Sequence, residues 1–279
     1  PSAGDAEPAT MTRIALFAAA AIAPLLSSCA LFGIPGDGED QGAVRTPELV
    51  TRVGGERDAA IEVVNGQYRV GRSLVEAPLP EGYPEPTPPG AIDLKRYPSV
   101  RRAELSRAGS PDGGMNSGFW PLFNHIKDRD IAMTSPVEMD YEGMPLDGNG
   151  RPERWTMSFL YRTSDLGPTG DAGNVLVVDT DAMTVLSIGL NGSYGLDRVK
   201  QGMAKLEAWL AAHPEWIADG SPRAFYYNGP YVPNARKWSE IQVPVRPKDG
   251  ESAWPTQMGG LSSADPGEIA AAPTIDPVD

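Results

Sequence analysis

Two amphipathic helical stripes set among short strands constrain the fold of this chain more than any other feature of it. Phe119, Leu122, Phe123 and Ile126 recur at i, i+3, i+4 and i+7, which puts them on one face of a short helix over Gly118 to Lys127. A second stripe of Val199, Met203, Leu206 and Leu210 predicts a helix over about Gly195 to Ala212, stopped by Pro214. Strands are expected over Ile92 to Leu105, with a bulge or bend where the apolar positions change parity, and at Val137 to Glu142 and Trp155 to Arg162. Val175 to Asp179 and Met183 to Leu190 precede the second helix; Arg223 to Tyr227 and Trp238 to Val245 follow it. A β-α-β-β unit therefore occurs twice, with one added strand at the junction. This order predicts an α+β fold, an antiparallel, barrel-like sheet with two helices.

Composition narrows the chemistry. Gly (31) and Pro (28) make up about a fifth of the 279 residues, so much of the length is linker or loop. A net charge of −13 argues against a nucleic-acid surface that tracks phosphates. One Cys excludes a disulfide framework, an all-Cys iron–sulfur cluster and a zinc site on paired CxxC motifs. Only two histidines occur, His125 and His213, and the second, at a helix end, reads as structural. No Gly-rich phosphate loop follows a strand, and neither HExxH nor Gly-x-Ser-x-Gly is present, so nothing argues for catalysis. Glu138, Asp140 and Glu142 alternate along one strand and read as a solvated face.

The N-terminal region reads as an address. Met11-Thr12-Arg13 is a short positive segment, and Ile14 to Leu26 is an apolar run of 13 residues. Crossing hydrocarbon as a helix takes roughly 20 residues, so the run fits a signal-peptide core and not a membrane span. Leu26-Ser27-Ser28-Cys29 resembles the bacterial lipobox, whose Cys becomes the lipidated N-terminus. The resemblance implies a signal region over residues 1–29 and a protein anchored on the periplasmic or outer side of a cell-envelope membrane. Residues 30–90 read as a tether that carries a hairpin signal at Asn65-Gly66. It ends in a Pro-rich stretch, Ala77 to Gly90, read as a stiff spacer. The folded core is expected over residues 91–246. Residues 247–279, with one Lys against six acidic residues and five Pro, are expected to be disordered.

Within the core the motifs become specific. Ile92-Asp93-Leu94-Lys95-Arg96-Tyr97-Pro98 is followed by Phe119-Trp120-Pro121-Leu122-Phe123-Asn124-His125-Ile126, and that by Ile131-Ala132-Met133-Thr134-Ser135-Pro136-Val137. This ordered set resembles the SOUL family of haem-binding proteins. Phe225-Tyr226-Tyr227-Asn228-Gly229-Pro230-Tyr231 matches the family's later turn, and Lys237-Trp238-Ser239-Glu240-Ile241 stands where its last strand motif is usual. The resemblance covers most of residues 91–246. It implies a distorted antiparallel β-barrel with two helices, built from two β-α-β-β units, and non-covalent binding of haem or a related tetrapyrrole. Arg96 stands where some animal members carry a proposed axial His, and His125 where an aromatic residue is usual.

Candidate ligand residues follow from what a flat macrocycle bearing carboxylates needs. Phe159, Tyr161 and Tyr227 offer aromatic walls, and Met133 a flexible wall or a soft iron ligand. His125 flanks the buried helix face and is the candidate haem-iron ligand; the plain alternative is a boundary histidine. Lys95 and Arg96, with Arg101 and Arg102 nearby, are candidate partners for the propionates. The function expected is haem scavenging, buffering or delivery by a lipid-anchored protein. The alternative is an interaction module, or a binder of another hydrophobic ligand, on the same barrel with the haem site lost.

Overall fold

The computed structural model describes residues 49–111 and 115–250, with the side chains of all of these but Asn116. The signal-like segment, Cys29 and the acidic stretch beyond Gly250 lie outside the described residues. A first strand, β1 (Val50–Gly55), precedes three short ones, β2 (Glu62–Val64), β3 (Gln67–Val70) and β4 (Ser73–Leu74). The first half of the core is β5 (Ala91–Tyr97), β6 (Arg101–Ala108), α1 (Met115–Lys127), β7 (Val137–Glu142) and β8 (Arg154–Leu160). The second half opens with β9 (Gly170–Ala172), β10 (Val175–Asp179), β11 (Met183–Asn191) and α2 (Leu196–Ala212). It closes with β12 (Trp216–Ala218), β13 (Arg223–Tyr226) and β14 (Trp238–Pro247).

The single long strand expected over Ile92 to Leu105 is two strands. Pro98 has no N–H with which to continue a ladder, and the chain breaks there. β5 goes on to pair with β1 and β11, whereas β6 pairs with β8 and β10. Apart from the short β9 and β12 of the second half, each half is therefore β-β-α-β-β, and the strand expected at the junction belongs to the second unit. All pairings in the large sheet are antiparallel, in the order β1-β5-β11-β14-β13-β7-β8-β6-β10-β9, with β12 on the far end of β14. From β5 to β10 this order reads the same from either end once β5, β6, β7 and β8 are exchanged for β10, β11, β13 and β14. The duplication seen in element order is thus a two-fold pattern of pairing. Among the described residues these pairings do not join β1 to β9, so the pattern observed is a large antiparallel sheet with two helices.

Alternation along the strands gives the sheet two unlike faces. One carries Leu94, Leu105, Met139, Met157, Leu186 and Val243, packed with Leu122 of α1 and Leu206 of α2 in one apolar core. Each such side chain, fully buried, contributes about 1.5–3 kcal/mol of transfer free energy. α1 covers β6, β8 and β10, and α2 covers β11, β12 and β14. Gly202 lets α2 sit close: a Cβ there would lie 2.5 Å from the side chain of Ile241.

The other face is buried too, and on it polar and charged groups lie beside a second apolar cluster that includes Tyr97, Val185, Phe225 and Trp238. The polar groups include Lys95, Glu138, Ser187, Arg223, Glu240 and Gln242. What covers this face is the Pro-rich stretch read from sequence as a spacer, which runs as a strap across the sheet. The Thr87 N–H donates to Glu240 Oε1 at 2.8 Å, and the Trp238 indole donates to the Thr87 carbonyl at 2.8 Å. Gly90 N–H bonds the Gly189 carbonyl at 2.8 Å, and Ser135 N–H bonds the Pro78 carbonyl at 2.9 Å. Tyr83 meets Tyr97 edge-on at 4.9 Å and stacks over Phe225 at 6.4 Å. Proline rings supply apolar cover without adding N–H donors that would need partners, and Pro84, Pro86 and Pro88 are buried here. Before the strap, β2 and β3 form a hairpin across Asn65-Gly66, both at positive φ as a type I′ turn requires.

Candidate functional site

Among the described residues two aromatic side chains are left largely uncovered, Tyr231 in the loop before β14 and Trp120 on α1, and around Trp120 neighbouring rings extend the surface. The helix buries Gly118, Leu122, His125 and Ile126 against the sheet, while Phe119 and Phe123 sit at one margin of that face. Their rings stack at 5.9 Å and 13°, and Phe119 also meets Phe159 of β8 edge-on at 5.2 Å. Trp120 lies at right angles to both, 5.6 Å from Phe119 and 5.9 Å from Phe123, and is 59% exposed. Ile131 and Met133, in the turn after the helix, are half-buried against the same core. Rings in mutual contact with their outer surfaces in water form an apolar ledge, suited to a flat hydrophobic ligand.

The residues expected to form one site fall into separate groups: Phe159 and Met133 by the ledge, His125 with Tyr161, Lys95 with Tyr227, and Arg96 apart from all of these. Phe159 is buried beneath the ledge and supports it from below. His125 lies 200° from Phe123 at 100° per residue, on the opposite flank of α1. It is 5% exposed, and its Nε2 is 2.8 Å from the hydroxyl of Tyr161, itself 1% exposed. Burial, with Arg129 nearby, holds the imidazole below the ordinary histidine range. Neither ring nitrogen is presented at the surface, and Nδ1 has no partner among the described residues. The core between the sheet and the helices is filled by the protein's own side chains, with Tyr141, Tyr226 and Trp155 among the buried rings.

Lys95 and Tyr227 belong to the polar face under the strap. Lys95 Nζ reaches both carboxylate oxygens of Glu240 at 3.0 Å, and both side chains are fully buried. Glu240 also accepts from the hydroxyls of Tyr227 at 2.5 Å and Ser187 at 2.6 Å, and from the Gln242 amide at 2.7 Å. Burial works against its charge, but Lys95 and these donors outweigh it and hold the carboxyl below the usual range. Lys95 is therefore a structural counter-charge, out of reach of a propionate. Arg96, half-buried on β5, stands in the half of the sheet that carries α2.

Arg101 is paired with Asp179 at 2.7 Å, and Arg102 serves Glu104 at 2.9 Å, Asp140 at 3.1 Å and Glu138 at 3.2 Å. Arg223 adds a second bond to Glu138 at 2.8 Å. Of the three carboxylates read as a solvated face, Glu138 is interior at 1% exposed and Asp140 is half-buried, while Glu142 is exposed as expected. Burial, with Glu138 beside it, pushes the Asp140 carboxyl up to about 7 despite Arg102 and Arg223. A cavity of about 450 Å³ at the start of α2, lined by Arg151, Ser193, Tyr194, Lys200 and Gln201 among others, is polar and does not match a flat apolar ligand.

The family profile described as SOUL heme-binding protein matches residues 85–244. The chain belongs to this family. The match takes in the strap from Glu85 onward, both helices and every strand from β5 to β13. No curated protein matches the chain. Solved structures similar to the SOUL domain include the C-terminal domain of EcmrR, at 16% identity and a TM-score of 0.47 over 56% of this chain and 97% of that one. A hydrolase from Listeria innocua is 14% identical with a TM-score of 0.42, over 58% and 94% of the two chains. SAV2435, solved bound to tetraphenylphosphonium, is 11% identical with a TM-score of 0.37, over 56% and 93%. Likenesses this distant carry no function to the chain.

Sequence reasoning missed Trp120 as a surface element of the SOUL domain. Its signal was an apolar residue off the helical stripe: Trp120 sits 100° from Phe119, on the side that amphipathicity reserves for polar residues.

Proposed function

We propose that the chain binds haem or a related tetrapyrrole non-covalently on the α1 ledge of its SOUL domain, while held at a cell-envelope membrane by a lipid on Cys29. The observation that carries the ligand reading is the exposed Trp120 in ring contact with Phe119 and Phe123, within a chain of a heme-binding family. A tetrapyrrole laid on these rings takes apolar surface out of water at about 25 cal/mol per Å², before the losses of association. Bound haem would bring its iron, for which Met133 beside the ledge is a soft donor, while the rings of the ledge fit the macrocycle. His125 is engaged with Tyr161 on the other flank, so the ring faces carry the recognition. The role is scavenging, buffering or delivery, a binding function without a reaction of its own.

The lipid reading rests on Leu26-Ser27-Ser28-Cys29 after an apolar run of 13 residues; none of the described helices is long and apolar enough to cross a membrane. A Cys29→Ser chain that still fractionates with membranes would remove that part of the proposal. The ligand part is tested by titrating hemin into the protein and following the Soret band. Saturable one-to-one binding that Trp120→Ala with Phe123→Ser abolishes is the expected result. The second reading, an interaction module with the haem site lost, draws on the filled interior and on the engaged His125. Absence of binding by the intact protein at micromolar concentration selects it.

A further inference from the structure

Resting on the ledge reading above, we infer that Lys127 is the residue that recognises the carboxylates of the bound tetrapyrrole and so sets preference for the free acid over its esters. A tetrapyrrole lying on α1 presents its propionates at the rim of the ledge, and a cation there must be both exposed and uncommitted. The cations singled out from sequence fail one condition or the other. Lys95 is sealed under the strap with Glu240, Arg101 is paired with Asp179, and Arg102 holds three carboxylates. Arg96 stands in the half of the sheet that carries α2. Among the other arginines of the first half, Arg154 pairs with Glu142 and Arg162 with Glu81, Arg129 donates to the His125 carbonyl at 3.2 Å, and Arg151 lines the cavity at α2. Arg107 is exposed on β6 in register with Trp155, which packs under Gly118 near the start of α1, at the opposite end of the helix from Lys127.

Lys127 meets both conditions. It is the last residue of α1, it is exposed, and it takes part in no ion pair among the described residues. Helix geometry places it on the right flank. At 100° per residue, Trp120, Phe123 and Lys127 fall within a sector of about 60°, with Lys127 roughly 6 Å along the axis from Phe123 and roughly 10 Å from Trp120. The aromatic rings and the ammonium group thus follow one another along a single edge of the helix. A lysine stem can lie along apolar surface while its charge stays in water, which suits the border between ring faces and propionates. Helix-dipole stabilisation at a C-terminus accounts for a cation in the last turn, but not for its alignment with the one exposed aromatic edge of α1.

The test compares protoporphyrin IX with its dimethyl ester, which keeps the macrocycle and removes both negative charges. Binding to the full chain at low ionic strength is followed by quenching of tryptophan fluorescence. The wild type is expected to bind the acid more tightly than the ester. Lys127→Gln should weaken acid binding about three- to tenfold, the range of a single exposed ion pair with one charged hydrogen bond, and leave the ester unchanged. Lys127→Arg should restore most of the preference, and added salt should erode acid binding in the wild type but not in Lys127→Gln. If the acid binds and Lys127→Gln leaves the ratio of acid to ester affinity unaltered, the lysine is overturned and the ledge stands. If neither porphyrin binds, or if both bind but Trp120→Ala with Phe123→Ser weakens neither, the ledge reading falls and takes the lysine with it.

Discussion

Replacing Lys95 by Met isolates the buried carboxylate of Glu240. The two Nζ–carboxylate contacts of 3.0 Å lie in a fully buried pair. At an effective dielectric of about 20, a charge pair at that separation is worth about 5 kcal/mol. Protonation limits the loss. Keeping a carboxyl neutral at pH 7, from an ordinary value of 4.5, requires about 1.4 kcal/mol per pH unit, or roughly 3.5 kcal/mol in all. With Thr87, Ser187, Tyr227 and Gln242 still donating, a loss of about 3 kcal/mol at pH 7 is expected, near the low end for a broken buried pair.

The sign of the pH dependence follows. Without Lys95 the folded pKa of Glu240 rises above its unfolded value, so the variant is relatively better near pH 4.5 and loses ground as pH rises. Urea denaturation followed by tryptophan fluorescence between pH 5 and 7.5 would show the gap to wild type widening with pH. Adding Glu240→Gln should recover at least half of the loss at pH 7, because it removes the stranded charge. A deficit below about 1 kcal/mol, or one that does not move with pH, would refute the view that Lys95 is an interior counter-charge.

Asp140 makes a separate prediction. Its folded pKa, pushed up to about 7 from 3.8, means that ionisation opposes the fold, so this residue's contribution to stability is present at low pH and is lost as pH rises through 7. Asp140→Asn should remove a dependence worth at most about 3 kcal/mol between pH 5 and 8.5, read by denaturant unfolding. Gly189→Ala tests the strap: the added Cβ would lie 2.2 Å from the carbonyl oxygens of Thr87 and Pro88. It should cost about 1–3 kcal/mol and raise amide exchange in residues 85–90, whereas unchanged exchange would mean that the strap does not depend on this approach. His125→Phe removes the bond to Tyr161; it should lower stability by about 1–3 kcal/mol and leave the Soret spectrum of bound hemin unchanged. A shifted spectrum would restore the histidine as an iron ligand.

Much of the fold was legible because it depends on local pattern. The stripe of Phe119, Leu122, Phe123 and Ile126 and that of Val199, Met203, Leu206 and Leu210 both became helices, and each strand expected from Val137 onward formed within two residues of its bounds. What pattern does not record is which strand lies beside which. The parity change around Pro98 was visible, but that it sends β5 and β6 to opposite halves is a non-local fact. The strap was hidden for a related reason: six prolines in fourteen residues look alike whether the segment hangs in solvent or lies on a sheet. Only the burial of Glu240, with Thr87 donating to it, tells the two apart.

Charge misled in the same way. Lys95 and Glu138 on alternating strands look like solvated positions, since nothing in their own segments shows that a partner 145 residues away, or a neighbouring strand, supplies the opposite charge. At the candidate site, the aromatic and lysine components were visible as residues. The flank of α1 that each occupies depends on which face the sheet covers.

The central claim is that a tetrapyrrole sits on the α1 ledge and not on the polar face under the strap. Hydrogen–deuterium exchange of the intact protein, with and without saturating hemin, separates the two directly. Slowed exchange confined to α1 and the turn up to Met133, with residues 77–90 and strands β13 and β14 unaltered, is the result this account predicts. Protection of the strap and of β13 and β14, with α1 unaffected, would contradict it.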